Sequence, residues 1–241
     1  YLDNLNPPQK EAVLATEGPL IVIAGAGSGK TKMLTSRMAY LIDEKRIPAF
    51  QILAVTFTNK AAREMKDRVL RHLGMGEGYH ANAPEIGTFH SICLRILRKE
   101  QQATPFTTSS FSIFDDSDQL SLLKRVVDKL GIDEKAFNPK SFQAAINRLK
   151  CDAVEPKDIE ASPHDLFERN LKRVYEEYQK DLFAANAIDF GEIICLTYRI
   201  LRDHEAIRQK YQKRYRYIHV DEYQDTKREA DLGFDYGNCR Y

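Results

Sequence analysis

The chain has 241 residues, 43% hydrophobic and 29% charged, which is enough apolar material for a buried core and excludes a disordered chain. Thirty-six Lys and Arg against 35 Asp and Glu leave a formal charge of +1, so any affinity for a polyanion must be local. The four cysteines (Cys93, Cys151, Cys195, Cys239) form no CxxC pair and no His-supported metal spacing; they fit reduced thiols in a cytoplasmic protein. No apolar run approaches the roughly 18 residues of a membrane span and no signal peptide opens the chain. A start at Tyr1 rather than Met reads as a piece of something longer.

In chain order, Leu20–Ala24 (LIVIA) is an unbroken apolar run stopped by glycine, which predicts a strand buried on both faces. A small-residue turn, Gly25–Gly29, follows. Leu34, Met38 and Leu41 then fall at i, i+4 and i+7, one face of a helix. Ile52–Phe57 predicts a second buried strand, and about Lys60 to His72 a second helix. Glycine and small residues dominate 74–83. Ile86–Phe89 reads as a third strand, with a helix from about Ser91 to Lys99. This alternation predicts a parallel sheet with helices on its faces.

The texture changes near residue 101, and from there to about 187 strand signals are few. Asp115, Asp116 and Ser117 offer N-caps ahead of Leu120, Leu123, Val127 and Leu130. Asn138-Pro139 opens a helix with Phe142, Ile146 and Leu149 on its apolar face. Phe167, Leu171, Val174 and Tyr178 mark another. Ile193 to Leu201 is helical again, and Tyr217–Val220 returns to strand. A helical segment is thus inserted between two α/β portions.

Chemistry concentrates at two places. In AGAGSGKT, Ala24 to Thr31, a strand, a glycine-rich turn and a helix N-terminus meet. Gly25, Gly27 and Gly29, with small Ala26 and Ser28, let backbone N–H groups approach phosphate oxygens that a Cβ would exclude. The helix N-terminus adds partial positive charge. Lys30 can reach the β- and γ-phosphates and the Thr31 hydroxyl can ligate Mg²⁺; Ala24 departs from the strict GxxxxGK[ST] pattern. The second place is YIHVDEYQDT, where Asp221, Glu222 and Asp225 follow a short apolar strand. Asp221 suits the magnesium ion, usually through its water shell, and Glu222 suits polarising the water that attacks the γ-phosphorus. Asp225 fits either orienting a neighbouring group or capping the next turn.

These motifs resemble the N-terminal part of a superfamily-one DNA helicase of the UvrD/Rep/PcrA type. The resemblance runs through LNPPQKEAV (Leu5 to Val13), AGAGSGKT, VTFTNKAAREM (Val55 to Met65), GTFHS (Gly87 to Ser91), IDF (Ile188 to Phe190) and VDEYQDT (Val220 to Thr226). That family carries alanine at the position of Ala24. The resemblance implies that Gln9 reads the adenine edge and that Arg37, on the phosphate-loop helix, lies against the adenine face. It turns the loop after the second strand toward single-stranded DNA. Thr56, Thr58, Asn59 and Lys60 would hydrogen-bond phosphates there, and Phe57 would contact a base. Thr88, Phe89 and His90 resemble the next strand-binding loop, with Phe89 or His90 as stacking candidates. Asp189 and Phe190 carry no assigned role. By charge alone, Lys60 to Arg71 is a solvated helix face, and Arg208 to Tyr217 a surface helix leading into a strand.

The implied fold is α/β: a RecA-like P-loop NTPase parallel sheet formed by residues 1–104 and 187–241, with 105–186 as an inserted all-helical subdomain. The implied cofactors are ATP and Mg²⁺, and the implied partner is single-stranded DNA or a junction of single and double strands. A second RecA-like domain, supplying arginines across a cleft, is expected elsewhere in the full-length chain. The parent would be a DNA-dependent ATPase, a 3′-to-5′ translocase and helicase of repair or replication. The fragment itself would have little or no unwinding activity. After Thr226 the family continues with a helix and a further strand, whereas Lys227 to Tyr241 stops short, as a truncation or a join between separated segments. The alternatives are a subunit of a RecB/AddA-like helicase-nuclease and, for the fragment, a nucleotide- or single-strand-binding module without turnover.

Overall fold

The computed structural model describes residues 2–75 and 83–223; Asp225 and the tail from 227 lie outside the described residues. These form two compact units. One holds the described residues up to Ile92 together with His204–Tyr223, and the other holds Cys93–Asp203.

The first unit is built on a three-stranded parallel sheet of β1 (Ile52–Thr56), β2 (Glu85–Thr88) and β5 (Tyr217–Val220), in the order β2-β1-β5. All five residues of β1 are buried, as a strand with partners on both edges and cover on both faces requires. Helices α1 (Pro7–Leu14), α2 (Lys30–Asp43), α3 (Asn59–His72) and α9 (Glu205–Arg214) accompany it. Met38 and Leu41 of α2 pack with Met65 and Val69 of α3 on Ile52, Ala54 and Tyr217 of the sheet. Ala12 and Val13 of α1 pack on Met33.

The strand expected at Leu20–Ala24 does not form. The segment carries no ladder, and Ile21 and Ile23 are 73% and 95% exposed. A strand is a pairing, and no described residue pairs with this one. Among the described residues β5 is bonded along one edge, to β1. Between the other side of β5 and Pro19–Val22 lies a cavity instead of a ladder.

The second unit is mostly helical. The remainder of α4 (Phe89–Lys99), then α5 (Asp116–Lys129), α6 (Pro139–Cys151), α7 (Leu166–Ala184) and α8 (Phe190–Asp203) surround Leu123, Val126, Val127, Phe142, Ile146, Val174, Tyr175, Tyr178 and Leu182. Asp115 caps α5 in a reciprocal box with Asp118, and Asn138 caps α6 ahead of Pro139. The sequence shows few strand signals in this region, yet β3 (Ser112–Phe114) and β4 (Ala187–Asp189) form a parallel pair in register Ile113↔Ile188. Three residues are too few to leave a readable alternation.

Candidate active site

The phosphate loop joins the unpaired segment to α2. Gly27 and Gly29 take φ of +75° and +86°, left-handed values that disfavour any residue with a Cβ. Gly29 is the N-cap of α2, so Lys30 and Thr31 open the helix at its electropositive end. The loop also bonds to itself. The Lys30 ammonium donates to the Ala24 carbonyl at 3.0 Å, and the Ser28 hydroxyl to the Gly25 carbonyl at 2.7 Å. Gly25, Ala26, Gly27 and Ser28 are solvent-exposed.

The acidic motif emerges from β5. Asp221 donates its N–H to the Val55 carbonyl at 2.9 Å, continuing the β1–β5 ladder, and its side chain is buried at the strand end. Its carboxyl is pushed up by burial and by the neighbouring Glu222, against the Glu222 N–H that it accepts and the Lys30 charge. Glu222 takes φ of +55°, a strained value for a side chain of its size, directly beside the candidate chemistry. Lys30, Asp221 and Glu222 line one cavity of about 360 Å³, with Arg37 and His219 deeper in its wall. Residues almost two hundred positions apart thus face one space, because α2 starts beside the carboxyl end of the strand that carries the acids.

The two adenine candidates also hold the protein's own backbone. Arg37 is 4% exposed and donates to the carbonyls of Ala12, at 2.5 Å, and Ala15, so it caps the C-terminal end of α1. Burial holds its pKa below the usual guanidinium value. Gln9 donates from Nε2 to the Ser28 carbonyl at 2.7 Å, while its Oε1 accepts from Asn6 N–H. Sequence reasoning missed His219, a buried neighbour of the acids whose pKa is lowered to about 3 by burial and by the Arg37 charge. It also missed Asn6, although Asn-x-x-Gln just ahead of a helix is a legible capping signal.

The matched relatives decide the family. Residues 5–230 match the UvrD/REP helicase N-terminal domain. The chain belongs to the UvrD/REP helicase family. Proteins named ATP-dependent DNA helicase PcrA are similar to it: that of Bacillus subtilis strain 168 is 44% identical, and that of Staphylococcus aureus strain Mu50 is 43% identical, both over 94% of this chain. The Staphylococcus epidermidis protein of that name is 44% identical over 93% of the chain. The chain spans about 30% of the length of each of these relatives.

In this UvrD/REP chain the two loop motifs sit at the carboxyl ends of β1 and β2, where ligands collect in parallel sheets. Phe57 is 44% exposed, and Thr58, Asn59 and Lys60 are exposed at the start of α3. The Thr58 hydroxyl accepts from Ala61 N–H as the α3 cap. Thr56 and Thr88 are buried, and the Thr88 hydroxyl accepts from Ser91 N–H. Phe89 is 6% exposed and props Phe57 from below at a ring separation of 5.7 Å; His90 is half-buried. Phe57 is therefore the solvent-facing ring of the pair, and Phe89 the buried one.

Asp189 lies in the helical unit and is committed internally. Its Oδ2 accepts from Lys150 Nζ and Tyr178 Oη, both at 2.6 Å, and its Oδ1 accepts from Glu192 N–H at 2.8 Å. Lys150 is fully buried between Asp189 and Glu192, and Arg199 pairs with the far side of Glu192. The lysine stem passes so close over α8 that a Cβ at Gly191 would sit 3.1 Å from Lys150 Cβ and Cδ. Phe190, next along, is 53% exposed.

Proposed function

We infer that the chain is the ATP-binding N-terminal part of an ATP-dependent DNA helicase, moving 3′ to 5′ along single-stranded DNA in repair or replication. One observation carries this reading: Lys30, at a helix N-terminus after a glycine-rich loop, lines the same cavity as Asp221 and Glu222 at the end of a parallel strand.

The residues present suit the cofactor. Thr31 and Asp221 offer hydroxyl and carboxylate oxygens, the hard donors Mg²⁺ takes. The carboxyl of Asp221 is raised partly by its acidic neighbour, an excess of negative charge that a divalent cation offsets. When bound, Mg-ATP supplies the phosphoanhydride whose cleavage drives the motor. The chain does the rest. Lys30 would exchange the Ala24 carbonyl for phosphate oxygens, the backbone of Gly25–Gly29 would cradle them, and Glu222 would polarise the attacking water as its general base. Phe57, Thr58, Asn59 and Lys60 form the contact with single-stranded DNA, by stacking and phosphate hydrogen bonds.

A chain spanning 30% of its relatives leaves room for a second RecA-like domain in the parent, which would supply the arginine that completes hydrolysis. On its own the fragment acts as a nucleotide- and strand-binding module. Among the described residues no helix is long and apolar enough to cross a membrane.

The test is Lys30→Ala in the full-length parent, followed by ATP turnover with and without single-stranded DNA. Loss of DNA-stimulated hydrolysis by 10²-fold or more is expected on the scale of a removed transition-state charge contact. Unchanged turnover would refute the role of Lys30.

A further inference from the structure

Gln9 touches the phosphate loop in a way that base recognition does not require. It is the third residue of α1 and half of a reciprocal cap: Asn6 Oδ1 accepts from Gln9 N–H at 2.9 Å, and Gln9 Oε1 accepts from Asn6 N–H at 3.0 Å. The amide nitrogen donates to the Ser28 carbonyl at 2.7 Å. Asn6 N–H can only donate and the Ser28 carbonyl can only accept, so one orientation of the amide satisfies both. The contact is tight: a Cβ built on Gly29 would lie 2.8 Å from Gln9 Nε2.

A trans peptide is planar, with its C=O and N–H pointing in opposite directions. Holding the Ser28 carbonyl toward α1 therefore turns the Gly29 N–H away from α1. Gly29, at φ of +86°, is the hinge about which this peptide could otherwise flip. The flipped form would present a carbonyl where a phosphate-binding loop needs a donor.

We propose that Gln9 is a positioning residue of the phosphate loop: its amide sets the orientation of the Ser28–Gly29 peptide, and so supports triphosphate binding whether or not a base is present. The proposal rests on the nucleotide-site reading above and deepens it. The amide retains one N–H and one lone pair beyond these contacts, the pair an adenine edge takes, so one side chain joins the base to the loop.

A ligand without a base separates the two roles. Binding of Mg-ATP and of magnesium tripolyphosphate to the 241-residue chain is measured by calorimetry for the wild type, Gln9→Met and Asn6→Ala. Gln9→Met keeps the length of the side chain and removes the donor. Asn6→Ala frays the same helix end and keeps the donor. Tripolyphosphate affinity is expected to fall by about three- to tenfold in Gln9→Met, the worth of one hydrogen bond, and to stay within twofold of wild type in Asn6→Ala. Unchanged tripolyphosphate affinity in Gln9→Met overturns the proposal, and so does an equal loss in Asn6→Ala, which would trace the effect to helix fraying. A wild-type chain that binds neither ligand overturns the nucleotide-site reading itself.

Discussion

His219 sits where protonation is costly, two residues before Asp221 and against the Arg37 charge. Its folded pKa of about 3 lies below the ordinary histidine value near 6.5. Between those values the unfolded chain binds the extra proton. The stability His219 confers is therefore complete above about pH 6.5 and is lost as pH falls toward 3, at up to about 1.4 kcal/mol per pH unit. Urea unfolding at several pH values should show a shallower acid-side slope in His219→Gln than in wild type; parallel slopes would refute this. The sequence hides such a residue, since a lone His in a strand looks the same whether its ring is solvated or shut in. That Lys30, Asp221 and Glu222 face one cavity was legible for the opposite reason. Phosphate and magnesium chemistry demands those residue types at those offsets, whatever surrounds them. Phe57 and Phe89 divide along the same line: both were readable as aromatic, but only packing decided that Phe89 faces inward.

At the scale of elements, the buried charges of the helical unit make the sharpest prediction. Lys150 is held by Asp189 and Glu192 at 2.6 and 3.2 Å with no exposed side-chain surface. Removing it leaves two carboxylates facing each other away from water. Lys150→Met should cost roughly 3–5 kcal/mol in chemical denaturation, as breaking a buried pair does. Lys150→Met with Glu192→Gln should recover part of that loss, and no recovery would argue against a charge origin. Gly191→Ala should destabilise too, by about 1 kcal/mol, because its methyl would press on the lysine stem at 3.1 Å, and the ion pairs to Asp189 and Glu192 keep that stem from yielding. The amphipathic helices α5, α6 and α7 were readable from their apolar period, because a helix satisfies its own backbone and needs only one face covered. Strands depend on partners. LIVIA has a strand's composition and no ladder, while β3 and β4 have little signal and find each other across 74 residues of chain.

For the whole chain, a net charge of +1 provides no general attraction to nucleic acid, so the strand binding proposed above would have to rest on the exposed cluster from Phe57 to Lys60. The same surface view exposes a liability. Leu20, Ile21, Val22 and Ile23 stand 39–95% exposed beside a strand that, among the described residues, is bonded on one edge, the arrangement that invites edge pairing between molecules. In the 241-residue chain, Ile23→Lys should leave unfolding stability within about 0.5 kcal/mol of wild type, as exposed substitutions do. It should also reduce self-association in light scattering. A large loss of stability would show that Ile23 is buried in solution. What the amino-acid order determined by itself was the motifs and the local periodicity: a glycine-rich loop ahead of a helix, an acidic pair after a strand, a family, and helices that carry their own hydrogen bonds. Which segments become strands, which aromatic ring faces out, and what Gln9, Arg37 and Asp189 hold were decided by tertiary contact. Those outcomes depend on partners distant in sequence, and neither composition nor spacing encodes which partner is present.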